Sequence, residues 1–184
     1  MNTLHIDRAT GLAARTRQVI SPHFNARPDG VAPELIVVHG ISLPPGEFGG
    51  PWIDRLFTGA LPAQAHPYFR EIEGLTASAH ALIRRDGEIV QYVPFDRRAW
   101  HAGRSEYCGR NECNDFSIGI ELEGTDEAPY EDAQYESLVR LIGALLTTYP
   151  TLARERIVGH SDIAPGRKTD PGPHFDWARL RGSL

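Results

Sequence analysis

Residues 34–39 read ELIVVH, an acid, four consecutive aliphatic side chains and a histidine. A short apolar run rich in branched residues, closed by a polar one, reads as a central β-strand. His39 ends the run and alternates with Leu35 and Val37, so rigid backbone carries its side chain to the edge of a sheet. Residues 41–52, ISLPPGEFGGPW, are dense in Pro and Gly and must form a loop. A short helix is expected around residues 53–58.

Outward from that strand, residues 61–78 form a long polar connection without clear periodicity, a kind of segment that is often functional. Strands are expected at 79–84 and 88–93, with Asp86-Gly87 as the hairpin turn. Residues 117–123, SIGIELE, alternate cleanly. Ile118, Ile120 and Leu122 share one face, and Ser117, Gly119, Glu121 and Glu123 share the other. Between 131 and 149, Tyr135, Leu138, Leu141, Ile142, Leu145 and Leu146 recur at three- and four-residue steps, the stripe of a buried helix face stopped by Pro150. A strand-like stub at 156–159 leads into the polar loop 160–177. The order reads as a single α/β (α+β) domain over residues 1–184, a central mixed sheet flanked by helices; strand order stays open at this level.

The 184-residue length suits one domain with a substantial core. A net charge of −5, with no run of Lys or Arg, argues against a nucleic-acid partner. No segment approaches the roughly 20 apolar residues of a membrane span, so no membrane partner is expected. The opening residues 1–20 have polar and charged residues spread throughout, without the apolar stretch of a secretory leader, and a cytoplasmic monomer is expected. Cys108 and Cys113 are too few for a disulfide scaffold, and their spacing is not that of a zinc knuckle. They read as two reduced thiols, with a local disulfide as the minor alternative.

Of the eight histidines, His5, His23 and His174 lie in polar surroundings and read as surface residues, while His66 and His80 suit buried structural positions. His39 and His160 differ, because each ends a short apolar strand beside a Gly/Pro-rich loop. Asp170 lies in the same loop as His160. Two imidazoles and a carboxylate, with a fourth position open, form the ligand set of a catalytic zinc ion. The spacing resembles no compact metal motif, so ligand arithmetic alone leaves ordinary structural histidines as the competing reading.

Five stretches weigh against that competitor: VVHGISLPPGEFGGPW (37–52), HPYF (66–69), SAHALIRRDGEIVQYVPFDRRAWHAG (78–103), CNDFSIGIELEGTD (113–126) and GHSDIAPGRKTDPGPHFDWARL (159–180). In this order they resemble the AmpD type of N-acetylmuramoyl-L-alanine amidase, a family related to phage lysozyme-type amidases and peptidoglycan-recognition proteins. The resemblance implies a mixed sheet flanked by helices and one Zn²⁺ per chain, held by His39, His160 and Asp170. It also implies Glu121 as acid/base and Lys168 as transition-state stabiliser. The substrate implied is a muropeptide, cut between (1,6-anhydro-)N-acetylmuramic acid and L-alanine during cell-wall recycling, with a link to β-lactamase regulation. Trp100 then becomes a candidate to stack on the sugar or to fill the core, and Tyr68 a substrate-facing hydroxyl or a packing residue. Trp52 and Trp177 read as structural. Arg97 and Arg98 read as solvated charges, or as partners for the carboxylates of the peptide stem.

Two positions depart from the family pattern. Gly40 stands where such enzymes commonly carry Asn, and Glu112 where a basic residue is common. Both leave open how the sugar is held. Two rival functions remain at this level: a non-catalytic peptidoglycan-fragment-binding module on the same fold, and a thiol hydrolase pairing Cys108 or Cys113 with His101.

Overall fold

The computed structural model describes residues 4–184; the first three, where the reading for a leader began, lie outside the described residues. Six strands form the main sheet: β1 (Arg17–Gln18), β2 (Leu35–Ile41), β3 (Ala81–Ile83), β4 (Ile89–Gln91), β5 (Ser117–Glu123) and β6 (Ile157–Gly159). Their spatial order is β6-β2-β5-β3-β4-β1. Strands β6, β2, β5 and β3 run parallel, β4 turns back antiparallel to β3, and β1 lies parallel to β4. The sheet is mixed, as expected, and β2 and β5 are interior strands paired along their whole length. The hairpin between β3 and β4 turns at Gly87, whose φ of +85° is open to glycine at little cost.

The long helix α3 (Asp132–Thr148) packs its predicted stripe on one face of the sheet. Leu138, Leu141, Ile142 and Leu145 meet Ile36, Val38, Ile118, Ile120 and Leu122 in one cluster, all essentially excluded from solvent. Each such side chain contributes about 1.5–3 kcal/mol by leaving water. Gln134, inside the first turn of α3, accepts the Glu131 N–H at 3.0 Å and donates to the Ile83 and Glu123 carbonyls, tying helix to sheet. The helix ends just before Pro150, whose ring disfavours a helical residue ahead of it.

The opposite face is covered by α1 (Trp52–Phe57), α2 (Pro67–Glu71) and the loops between strands. One expectation is corrected here. Residues 61–78 are not a featureless connection: they contain a 3-10 turn at Ala63–Ala65 and then α2, whose Tyr68 N–H is accepted by His66 Nδ1 at 3.1 Å. Pro67 at the first helical position and the His66 cap start this helix without any apolar periodicity. Neither Glu121 nor Glu123 faces solvent, since every residue of β5 is buried. Alternation places side chains on faces; the cover over each face comes from distant chain. The strand at Arg17–Gln18 lies in a segment too short and polar to stand out from sequence.

Helix α4 (His160–Ile163) follows β6 directly, and α5 (Trp177–Ser183) closes the described chain. The two cysteines are free, Cys108 exposed and Cys113 buried. Among the described residues, no helix is long and apolar enough to cross a membrane.

Candidate active site and metal centre

In the parallel part of the sheet, a crevice opens beyond the carboxyl ends of the strands, where open α/β sheets place their ligands. His39 stands near the end of β2, Glu121 pairs with it in register on β5, and His160 begins α4 straight after β6. The loop from α4 returns Asp170 to this point, its carbonyl accepting the Ser161 N–H at 3.0 Å. His39 Nδ1 and His160 Nδ1 are 3.0 Å apart, and Asp170 Oδ2 lies 3.2 Å from the first and 3.0 Å from the second.

Two imidazole nitrogens and a carboxylate oxygen this close, with 1% of His39 and 4% of His160 exposed, form a group able to hold a metal ion. Donors bonded at about 2.0–2.1 Å to a tetrahedral ion stand about 3.3 Å apart, close to the spacing found. Burial pushes the His39 pKa down to about 4, so its ring is uncharged at neutral pH and one of its two nitrogens has a lone pair to donate. A single cation at their centre would satisfy all three donors at once.

Glu121 lies beside this group, 8% exposed, and its Oε2 has no hydrogen-bond partner. Burial raises its pKa well above the ordinary glutamate value; the negative charge of Asp170 adds to the rise and Lys168 opposes it. A cleft of about 300 Å³ gathers all seven residues singled out from sequence: His39, Tyr68, Trp100, Glu121, His160, Lys168 and Asp170. Lys168 comes from the exposed loop ahead of Asp170, and Tyr68 from the start of α2. Trp100 is half-buried; its Nε1 donates to Asn25 Oδ1 at 2.7 Å and its ring stacks on His23 at 5.8 Å. His23, expected on open surface, is thus a partly covered support for that indole. Arg98 is engaged with Asp115, and its neighbour Arg97 stays half-exposed beside Asp96.

The unexpected Gly40 has a local cause. A Cβ there would stand 2.3 Å from the Tyr130 hydroxyl, which donates to the Pro171 carbonyl at 2.9 Å. Tyr130 occupies the space that a side chain at position 40 would need, and it steadies the residue next to Asp170. Sequence reading gave Asn114 and Ser117 no part beside the site, and named His101, which lines the cleft, only as the partner of a thiol in a rival reading. His101 contacts His39 and Ser117 through its two ring nitrogens, leaving neither for a cysteine thiol.

A parallel-sheet crevice with three convergent donors and an unpartnered buried carboxylate defines a hydrolase-type site able to hold one metal ion. Residues 29–173 match the N-acetylmuramoyl-L-alanine amidase family, and the chain belongs to that family. Its activity is that of an amidase. It is 66% identical over 171 residues to the 1,6-anhydro-N-acetylmuramyl-L-alanine amidase AmpD of Escherichia coli K12, covering 93% of each chain. The fold is similar to the crystal structure of a selenomethionine derivative of AmpD, with a TM-score of 0.94 and 63% identity over 97% of this chain and 98% of that one. It is also similar to AmiD of E. coli, solved with anhydro-N-acetylmuramic acid-L-Ala-D-γ-Glu-L-Lys, at a TM-score of 0.61 and 27% identity over 100% of this chain and 66% of that one.

Proposed function

We propose that the chain, as one domain over residues 1–184, is a zinc-dependent amidase. It hydrolyses the amide between 1,6-anhydro-N-acetylmuramic acid and L-alanine in imported wall fragments, in the cytoplasm, as part of cell-wall recycling. The observation that carries this reading is the unpartnered Glu121 Oε2, buried one strand from His39 and level with it. An orphaned buried carboxylate is costly to a fold, and its position beside three converging donors matches the need of a general base.

His39, His160 and Asp170 would hold the zinc ion. When bound, zinc supplies Lewis-acid chemistry, lowering the pKa of a water molecule and polarising a carbonyl. Glu121 takes the proton of the attacking water at Oε2 and returns it to the departing alanine nitrogen. Its raised pKa serves both halves of that task, because a base whose proton affinity lies nearer neutrality also gives the proton back. The Lys168 ammonium stabilises the negative charge that grows on the former carbonyl oxygen. Trp100, fixed by Asn25 and His23, offers a flat ring to the sugar, and Tyr68 places a hydroxyl at the same cleft.

The test is product analysis with a 1,6-anhydro-muramyl peptide. The zinc-loaded protein is expected to release the free anhydro-sugar and the intact stem peptide, and a chelator to stop both. Binding of the fragment without cleavage at saturating zinc would favour the recognition-module alternative and defeat the proposal.

A further inference from the structure

Ser117 Oγ lies 2.6 Å from the Cys113 carbonyl oxygen and 3.1 Å from His101 Nε2. A carbonyl oxygen only accepts, so the single hydroxyl proton of Ser117 goes to Cys113. His101 Nε2 must then carry a proton and donate it to Ser117 Oγ. In a neutral ring this leaves His101 Nδ1 bare, 2.9 Å from His39 Nε2. His39 therefore donates from Nε2 and turns an unprotonated Nδ1 toward His160 and Asp170.

The next residue does the same for the second imidazole. Ala102 O stands 3.1 Å from His160 Nε2 and accepts its proton, so His160 also presents a bare Nδ1 to the group. Both backbone N–H groups of this dipeptide are held by one atom: Asn114 Oδ1 accepts from His101 N at 3.0 Å and from Ala102 N at 2.8 Å. Strand β5 is shaped to receive the ring, because a Cβ on Gly119 would meet His101 Cγ at 2.4 Å. Ser117, two residues earlier on the same face, anchors the far end.

We infer that the dipeptide His101–Ala102, clamped by Asn114, is the positioning element that sets the tautomer of both imidazole donors and aims their Nδ1 lone pairs at the cation. The inference rests on the zinc reading above. His101 acts through His39, and Ala102 through its backbone carbonyl to His160. Partners of this kind fix ring orientation and raise ligand basicity, and losing one typically costs 10–100-fold in metal affinity.

The experiment has two readouts besides turnover. Long-range proton–nitrogen correlation on the zinc-loaded full chain, labelled at histidine nitrogen, should show His39 and His160 protonated at Nε2 and coordinated through Nδ1. Coordination of either ring through Nε2 would overturn the inference. Zinc affinity is then measured by competition with a chelator. His101→Phe keeps the ring's bulk without an acceptor and should weaken zinc about 10–100-fold. His101→Asn puts an acceptor oxygen near the place of Nδ1 and should recover most of that loss. Unchanged affinity in His101→Phe, or no recovery in His101→Asn, would overturn the inference while leaving the zinc site standing. A parent protein that binds no zinc would sink both. If His101→Phe does not fold, Ser117→Ala, which removes only the anchor, should weaken zinc several-fold, and unchanged affinity there would count against the inference.

Discussion

Glu121 and Glu123 stand two positions apart on the same face of β5, and solvent reaches almost none of either. Their surroundings are opposite. Glu123 accepts the Gly49 N–H at 2.7 Å and the Arg85 N–H at 3.3 Å, and it faces the Arg84 guanidinium at 3.5 Å. Arg84 continues to Asp54, which also meets Arg17 at 2.8 Å and the Tyr92 hydroxyl, so this network closes on itself. Glu121 faces the three converging donors and leaves one oxygen with no partner at all. Burial alone therefore distinguishes nothing; satisfaction does. A satisfied buried acid holds the fold together, and the unsatisfied one is, on the proposed function, the base that acts on substrate.

Exchanging charge for a neutral amide of the same shape should separate the two acids most widely. Glu121→Gln is expected to lower kcat by about 10²–10⁴-fold, with thermal stability unchanged or improved, because it removes the proton acceptor and an unpartnered buried carboxylate together. A variant that kept near-normal turnover would erase the distinction. Lys168→Ala should reduce turnover by about 10²-fold, near 3 kcal/mol of barrier, while zinc content measured by metal analysis stays at one ion per chain. Glu123→Gln should do the reverse, costing about 2 kcal/mol of stability in denaturant titration as Arg84 loses its charged partner, with turnover changed only a few-fold.

The smallest and sharpest contrast is in pH. Burial acts against the Asp54 carboxylate, but the hydrogen bonds from Arg17 and Tyr92 outweigh it and hold its pKa below the ordinary value. Its contribution to stability is thus present above the unfolded carboxylate range, about pH 4, and is lost as pH falls through the lowered folded value. Glu121, raised by burial, has the opposite sign: its favourable protonated form prevails at low pH and is lost as pH rises through the folded value. Melting curves of the zinc-free protein should therefore show the Glu121→Gln variant gaining on the parent as pH rises above about 5, and an Asp54→Asn variant converging on the parent below about pH 4. Parallel curves for the two variants would mean that the two acids do not differ as described.

Much of this was legible along the chain. Periodicity located α3 and the alternation of β5, because a stripe or a face is a local property of consecutive residues. His39 and His160, each at the junction of an apolar strand or stub with a Gly/Pro-rich loop, and Asp170 within the loop after His160, marked a candidate ligand set, and the motif resemblance added Glu121 and Lys168. Convergence was not legible, since it depends on strand order. For the same reason the burial of Glu123 escaped notice: its partners Gly49, Arg84 and Arg85 come from other parts of the chain. The resemblance over residues 78–103 drew attention to Trp100, while the hydrogen-bond direction that involves His101 can be worked out only once Ser117 and the Cys113 carbonyl are seen around it. Gly40 was visible as a departure, and only Tyr130 explains it.

The donors at His39 on one side and at His160 and Asp170 on the other belong to stretches of polypeptide far apart in the chain. An ion shared among them would act as a removable cross-link that closes most of the molecule into a loop, much as a covalent bridge would. A cell short of the metal would then hold a slacker polypeptide as well as an idle one, so that supply of the ion would govern how long the enzyme lasts as much as how fast it works.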